Sequence, residues 1–148
     1  MKPISSSQKK KIVKQLNDKF GISKIPHLLL QFGKEKIRFY SGSLSKDELI
    51  RLDKNIRIEN IGLYALKNEK EITRLTLDGT QLLKNQISKN ILEINESQAK
   101  DWMQGNDLSF KLDRELKIIR YDNEFLGSGK STGERITNFV PKKRRIRN

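Results

Sequence analysis

A run of glycines between two strand-like segments, in the last quarter of the chain, constrains the fold more than any other feature. Residues 117–121 predict a strand, Asp122-Asn123 predicts a tight turn, and residues 127–133 are glycine-rich. Residues 135–140 alternate β-branched, polar and aromatic side chains, which is typical of a second strand. We therefore expect a glycine-rich loop at residues 127–133 between two strands.

The sequence Gly129-Lys130-Ser131 resembles the end of a nucleotide-binding P-loop. That motif needs a glycine five positions before its second glycine, where this chain has Glu124. The loop must also lead into a helix, whose N-terminus completes the anion site, whereas here Gly133 and a strand-like segment follow. A nucleotide-hydrolysing enzyme would bind ATP or GTP through Lys130, and we expect no such binding.

Positive charge is concentrated at the two ends of the chain. Lys and Arg number 31 against 18 Asp and Glu, which gives a net charge of +13. Residues 1–24 hold seven lysines and one aspartate, and residues 142–148 hold five basic residues and no acidic one. This placement favours a polyanionic partner, because each neutralised phosphate releases counterions. The alternative is a solvated, lysine-rich surface without a specific partner.

Composition also excludes several classes of protein. No run of about 18 apolar residues is present, and the N-terminus lacks the apolar core of a signal peptide. The chain has no cysteine and one histidine, His27, so no nucleophile–base set and no metal cluster can be assembled. We expect a cytoplasmic protein that is not an enzyme and uses neither a cofactor nor a metal ion.

The first 90 residues predict alternating helices and strands. One helix is capped within Ser5-Ser6-Ser7 and ends at Gly21, and a second follows Ser45. A third spans residues 80–87, with Leu82, Leu83 and Ile87 facing inward. Strands are expected at residues 25–32, 36–40, 61–66 and 72–77. This part is therefore α+β, with mostly antiparallel pairing.

The pattern restarts after Asn90, where we place a domain boundary. Residues 91–94 predict a strand, and Asn95 caps a helix in which Ala99, Trp102 and Met103 face inward. Gly105 closes this helix. Trp102 and Phe125 are expected in the core, because periodic aromatic residues usually pack there.

The region from Ile91 to Arg147 resembles the PUA family of RNA-binding domains. The resemblance rests on the first strand, the helix ending in Trp102-Met103, the turn Gly105-Asn106-Asp107-Leu108 and the later Phe125-Leu126-Gly127. Gly127-Ser128-Gly129-Lys130 with Thr137-Asn138-Phe139-Val140-Pro141-Lys142 is similar to the PUA-like domain of Nol1/Nop2/Sun-type rRNA cytosine methyltransferases. Thr137 replaces a basic residue of that subgroup's pattern.

The resemblance implies a fold and a set of contacts. The fold is an α+β pre-PUA-like domain at residues 1–90 followed by a PUA-like β pseudo-barrel with a basic tail at residues 91–148. The basic tail would neutralise RNA phosphates. The Gly105 turn and the glycine-rich loop at residues 127–133 would approach the RNA backbone, while Asp107 fixes the turn. The expected RNA-binding residues are Gly105, Asn106, Lys130, Arg135, Lys142, Lys143, Arg144 and Arg145.

The function expected from these features is non-catalytic binding of rRNA or another structured RNA in rRNA maturation and ribosome biogenesis. An RNA-modification enzyme or a ribosomal protein is a further possible partner, and no membrane is involved. The alternative function is that of a protein-interaction adaptor, in which the N-terminal domain binds such a protein and RNA contact is incidental.

Overall fold

The computed structural model describes residues 1–147, so Asn148, the last residue of the expected domain 91–148, lies outside the described residues. Within residues 1–147, four α-helices pack on two five-stranded sheets. The second sheet contains the strands expected for the pseudo-barrel, and the α+β class is confirmed. None of the helices formed by residues 1–147 is long and apolar enough to cross a membrane.

The first sheet is entirely antiparallel, and its strands follow one another in chain order. Its strands are β1 (Lys2–Pro3), β2 (Leu28–Phe32), β3 (Lys36–Tyr40), β4 (Leu63–Glu69) and β5 (Ile72–Leu75). Ile37 and Phe39 of β3 are buried while the residues between and beside them are more exposed, because successive side chains point to opposite faces. The alternation read from the sequence therefore sets the buried face.

Three helices accompany the first sheet: α1 (Ser6–Phe20), α2 (Lys46–Asn55) and α3 (Leu77–Leu82). The N-cap expected within Ser5-Ser6-Ser7 is Ser5, the C-cap expected at Gly21 is confirmed, and Ser45 forms a capping box with Glu48. These local hydrogen bonds satisfy backbone groups that a helix end leaves without an internal partner.

The third helix differs from the prediction in position and in its inward face. Thr76 caps it by accepting from the Gly79 amide, so the helix begins at Leu77, where the sequence predicted the end of a strand. A 3₁₀ turn at Lys84–Gln86 follows it. Leu83 and Ile87 are buried as expected, but Leu82 is 42% exposed. Leu82 faces solvent because the helix stops there and the chain changes pitch.

The second sheet has the order β6-β8-β9-β10-β7, with β6 parallel to β8 and the other pairs antiparallel. Its strands are β6 (Ile91–Glu93), β7 (Leu108–Ser109), β8 (Leu116–Tyr121), β9 (Glu124–Ser131) and β10 (Arg135–Asn138). Helix α4 (Glu96–Met103) connects β6 to β7. Asp122 and Asn123 both have positive φ, as a two-residue hairpin turn requires, so the turn expected there is confirmed.

The two sheets share buried side chains. One apolar cluster combines residues of α1 and the first sheet with Ile118 and Phe125 of the second, and another gathers around Trp102. Polar contacts cross between the halves as well: the Gly127 amide donates to Thr80 Oγ1 (3.1 Å), and Ser128 Oγ donates to the Leu75 carbonyl (2.6 Å). The domain boundary expected after Asn90 stays a prediction.

Candidate nucleic-acid interface

Helix α4 anchors the turn that was expected to contact RNA. Asn95 caps the helix by accepting from the Gln98 amide (2.8 Å), and Trp102 near its end is fully buried. The indole nitrogen of Trp102 donates to the Leu126 carbonyl on β9 (2.8 Å). This bond and the buried ring fix the C-terminal end of α4 on the sheet, so the Gly105 turn that follows has a defined position.

The basic C-terminal segment lies on this turn. The Ile146 amide donates to the Met103 carbonyl (2.8 Å), and Arg145 Nε donates to the Val140 carbonyl (3.1 Å). Gly105 has φ +94°, and a β-carbon there would lie 2.5 Å from Arg145 Nε. The backbone conformation therefore favours glycine at position 105, and a side chain there would displace the flexible end of Arg145.

Polar contacts also join the turn to β10. The side-chain nitrogen of Asn138 donates to the carbonyls of Trp102 (2.7 Å) and Asn106 (2.9 Å), and the Asn138 amide donates to Asp107 Oδ1 (2.8 Å). Asp107 Oδ2 lies 3.6 Å from the guanidinium of Arg135. Asp107 thus holds the turn, as expected from the sequence, and Gly105, Asn106, Arg135 and Arg145 lie around one site.

The other basic residues of the C-terminal segment differ in their surroundings. Lys142–Arg144 forms a 3₁₀ turn, and all three side chains are exposed. Arg144 Nη1 lies 2.6 Å from both carboxylate oxygens of Asp78 at the start of α3. Among residues 1–147, Lys142 and Lys143 make no ion pair. Arg144 is therefore partly neutralised, whereas the two lysines keep their full charge available.

Lys130 belongs to a different surface. The preceding residue, Gly129, faces Trp102 and Ile136, since a β-carbon there would lie within 3 Å of either side chain. Successive residues of a strand point to opposite faces, so Lys130 points away from α4. It is exposed and lines a cleft between the two sheets, together with Arg74 and other residues. The structure thus does not group Lys130 with the Gly105 turn.

The prediction of a glycine-rich loop at residues 127–133 is wrong for most of that range. Strand β9 continues to Ser131, and the strand residues Gly127, Ser128 and Gly129 are all buried. Gly127 lies against the backbone of Leu77, where a β-carbon would meet the helix at 3.3 Å. These glycines allow helices to approach the sheet closely. The Gly127 amide donates to Thr80 Oγ1, and Gly129 lies between two paired strands, so this segment is not an open loop for phosphate.

Arg74 of β5 and Phe139 were not identified from the sequence. The guanidinium of Arg74 lies 3.8 Å from the centre of the Phe139 ring, and the residue is only 9% exposed. Burial lowers the pKa of Arg74, and the nearby Tyr64, Glu69 and Glu35 partly oppose this effect. An arginine within a strand gives no local signal of such a site, because its burial depends on residues 65 positions away.

His27 is not part of this surface. Its ring stacks on Phe39 at 5.1 Å, and Lys9 Nζ donates to its backbone carbonyl (2.8 Å). Burial, and secondarily the charge of Lys9, lowers the pKa of His27. Residues 1–147 contain no group of three or more His, Cys, Asp or Glu side chains that could hold a metal ion. His27 is therefore a packing residue.

Comparison with known proteins agrees with this geometry. Residues 89–146 match the family model described as the methyltransferase RsmF PUA domain. A relative, ribosomal RNA small subunit methyltransferase F of Aeromonas salmonicida (strain A449), is 26% identical over 89 residues. That alignment covers 59% of this chain but 19% of the relative, so the chain spans about a fifth of the methyltransferase's length.

The matched region begins just before β6 and ends at Ile146, which docks on the end of α4. It therefore includes the whole second sheet, the Gly105 turn and the basic segment that lies on it. The resemblance expected from the sequence is confirmed, because residues 89–146 match the model of a PUA domain and part of the chain is similar to an rRNA methyltransferase.

Proposed function

We propose that the protein is a non-catalytic RNA-binding protein that acts in rRNA maturation and contacts RNA phosphates through the surface around the Gly105 turn. The observation that carries this proposal is the docking of residues 142–147 on the end of α4. A basic segment held by the Ile146 and Arg145 hydrogen bonds presents its charges in fixed positions. Preorganised charges lose less entropy on binding than those of a flexible tail.

The residues of this surface have distinct roles in the proposal. Lys142 and Lys143 neutralise phosphates, because both are exposed and neither is paired with a carboxylate within residues 1–147. Asn106 is exposed in the Gly105 turn, and its side-chain amide can form hydrogen bonds with RNA. Arg135 and Arg144 already contact Asp107 and Asp78, so their contribution to phosphate neutralisation is smaller.

An rRNA partner is supported by the PUA match and by the relative, whose name describes a ribosomal RNA methyltransferase. The part of that enzyme that the family model describes is its PUA domain. His27, the single imidazole, stacks on Phe39 and lies outside the proposed surface. Residues 1–90 would act as a second module beside the PUA-like domain.

The test is binding of the full chain to an rRNA fragment and to a random RNA of equal length, over a series of salt concentrations. We expect preference for the rRNA fragment and a linear fall of log affinity with log salt. Replacing Lys142 and Lys143 together by Ala should reduce the salt slope by about 1.4–1.8, since each lost phosphate contact removes about 0.7–0.9.

The matched control is Lys46→Ala with Lys54→Ala, which removes two exposed lysines from α2. If the control lowers affinity as much as the change at positions 142 and 143, the charge acts generically and the proposed surface is wrong. Equal, weak binding of both RNAs by the unchanged protein would also contradict the proposal.

A second candidate function, the protein-interaction adaptor, is favoured by exposed apolar side chains in the N-terminal half. Five of the six large hydrophobic residues that are clearly exposed lie before residue 90, among them Ile56 at 66% and Leu63 at 41%. Exposed apolar groups of this kind are typical of protein-binding surfaces when they are contiguous. Retention of a protein partner after nuclease treatment, and its loss in Ile56→Ser, would favour this function.

A further inference from the structure

A cleft between the two sheets contains a buried arginine, Arg74, that makes no ion pair within residues 1–147. Its volume is about 330 Å³, and its walls come from the β4–β5 hairpin on one side and from β8, β9 and the end of β10 on the other. The lining residues are Glu69, Lys70, Ile72, Arg74, Leu116, Lys130, Thr137 and Phe139. Clefts of this size commonly hold small groups of a ligand.

Arg74 is the central residue of the cleft. It is 9% exposed and stacks on Phe139, yet within residues 1–147 it makes no ion pair, and its Nε, which is buried, has no hydrogen-bond partner. A guanidinium carries five donors and stays charged in proteins. Burying the Nε–H without an acceptor is unfavourable, and in native structures an ordered water, an ion or a ligand usually supplies the acceptor.

The charge of the surroundings indicates the ligand. A second cleft of about 370 Å³ adjoins the first and shares Ile72, Leu116 and Lys130 with it. The two together are lined by five basic residues, Lys19, Lys70, Arg74, Arg114 and Lys130, and by two acidic ones, Glu69 and Glu115.

Both acidic residues already contact a lysine that does not line the clefts. Glu115 lies 2.6 Å from Lys117, and Glu69 lies 3.9 Å from Lys67. None of the five basic residues is paired with a carboxylate within residues 1–147. The continuous groove is therefore strongly basic, and it suits an extended polyanion.

We propose that this groove binds the backbone of an RNA strand, with one phosphate held by Arg74 and Lys130. The proposal rests on the proposed function, because it assigns a second contact of the same RNA outside the Gly105 turn. Thr137, which pairs with Lys130 across β9 and β10, offers a hydroxyl to the same phosphate. Ile72, 48% exposed, and Phe139 provide apolar contacts for the ribose or base beside it.

Geometry distinguishes this site from a generic positive surface. Lys130 and the Gly105 turn lie on opposite faces of the second sheet, as the packing of Gly129 on Trp102 shows. An RNA that reaches both must pass around the sheet, so the two contacts can be weakened independently. Lys130 was expected to bind RNA, and the proposal places Arg74, which the sequence did not indicate, beside it at the same phosphate.

The first experiment measures the affinity of the full chain for the rRNA fragment in three variants. Lys130→Gln should weaken binding roughly tenfold, as expected for a lost charge-assisted hydrogen bond, and its exposed position leaves the fold intact. Arg74→Lys keeps the charge but loses the planar donor fork, so it should also weaken binding. The control, Lys54→Gln on α2, should bind as the unchanged protein does.

The second experiment identifies the phosphate. One RNA phosphate at a time is replaced by a neutral methylphosphonate, and each RNA is tested with the unchanged protein and with Lys130→Gln. One position should weaken binding to the unchanged protein and have little further effect in Lys130→Gln, because both changes remove the same contact. Arg74→Lys should show the same coupling, which a purely structural role of Arg74 would not produce.

Several results would overturn the proposal. If Lys130→Gln and Arg74→Lys leave RNA binding unchanged while the change at Lys142 and Lys143 abolishes it, the groove does not contact RNA. The proposed RNA-binding surface around the Gly105 turn would then be supported. Additive effects at every methylphosphonate position would exclude a specific phosphate. Binding of AMP or inorganic phosphate that depends on Lys130, without any effect on RNA, would assign the groove to a free phosphate compound instead.

Discussion

The guanidinium of Arg145 occupies the space that a side chain at Gly105 would fill. A β-carbon at position 105 would lie 2.5 Å from Arg145 Nε and 2.6 Å from its guanidinium carbon. The same arginine donates to the Val140 carbonyl, and its neighbour Ile146 donates its amide to Met103. The turn after α4 and the basic C-terminal segment therefore form one structural unit.

Replacing Gly105 by Ala should displace this segment. The positive φ of +94° should cost roughly 1–3 kcal/mol of stability for a residue other than glycine, and the added β-carbon should push the side chain of Arg145 aside. Urea unfolding measures the stability loss, and RNA binding measures the displacement. Gly33→Ala is the control, because position 33 has φ +66° and no atom within 4 Å of a β-carbon. Equal losses of RNA affinity in both variants would contradict the coupling.

Removing the Trp102 side chain should be strongly destabilising. Trp102→Ala removes a fully buried ring, and such substitutions cost about 3–5 kcal/mol. Trp102→Phe keeps most of the apolar area and loses the bond to the Leu126 carbonyl, for a cost of roughly 1–3 kcal/mol. Circular dichroism follows both, since Trp102 is the single tryptophan and fluorescence is lost with it. A stable Trp102→Ala protein would show that α4 is not anchored by this ring.

Arg144 should contribute less to phosphate neutralisation than Lys143. Its contact with Asp78 already compensates its charge, so Arg144→Ala should lower the salt slope of RNA binding by less than the roughly 0.7–0.9 expected for Lys143→Ala. In protein that carries Asp78→Asn, Arg144 is released and the two substitutions should have similar effects. Equal effects in the presence of Asp78 would mean that RNA breaks the pair.

Acidification should destabilise the protein through His27. Burial lowers the pKa of His27 in the folded state below its usual value of 6.5, so the unfolded chain takes up a proton that the folded chain does not. Stability should therefore be full above pH 6.5 and should fall as pH decreases from there to the folded-state pKa.

Unfolding by urea at several pH values between about 5 and 7.5 measures this loss of stability. In roughly this pH range an unperturbed histidine changes its charge, whereas unperturbed carboxylates do not. His27→Gln should remove the dependence, because His27 is the single histidine of the chain. A dependence that persists in the variant would have to come from another group.

The expected local structure came from patterns that act over a few residues. The caps at Ser5, Ser45 and Asn95 are confirmed, since each side chain accepts from an amide three residues ahead, and that geometry depends on the local sequence alone. The Asp122-Asn123 turn and the burial of Trp102 were predicted for the same kind of reason.

Tertiary packing decided the features that were missed. The glycines at 127 and 129 belong to a strand because Leu77 and Trp102 pack against them, and neither contact can be read from neighbouring residues. Arg74 is buried because Phe139 folds over it from the other half of the chain.

The sequence by itself determined the α+β class, the helix caps, the charged ends and the resemblance of residues 91–147 to a PUA-like domain. Only the tertiary structure decided which charges are free, because neutralisation depends on through-space neighbours such as Asp78 beside Arg144. It also separated Lys130 from the Gly105 turn, since the face on which a strand residue lies depends on what packs against each side of the sheet.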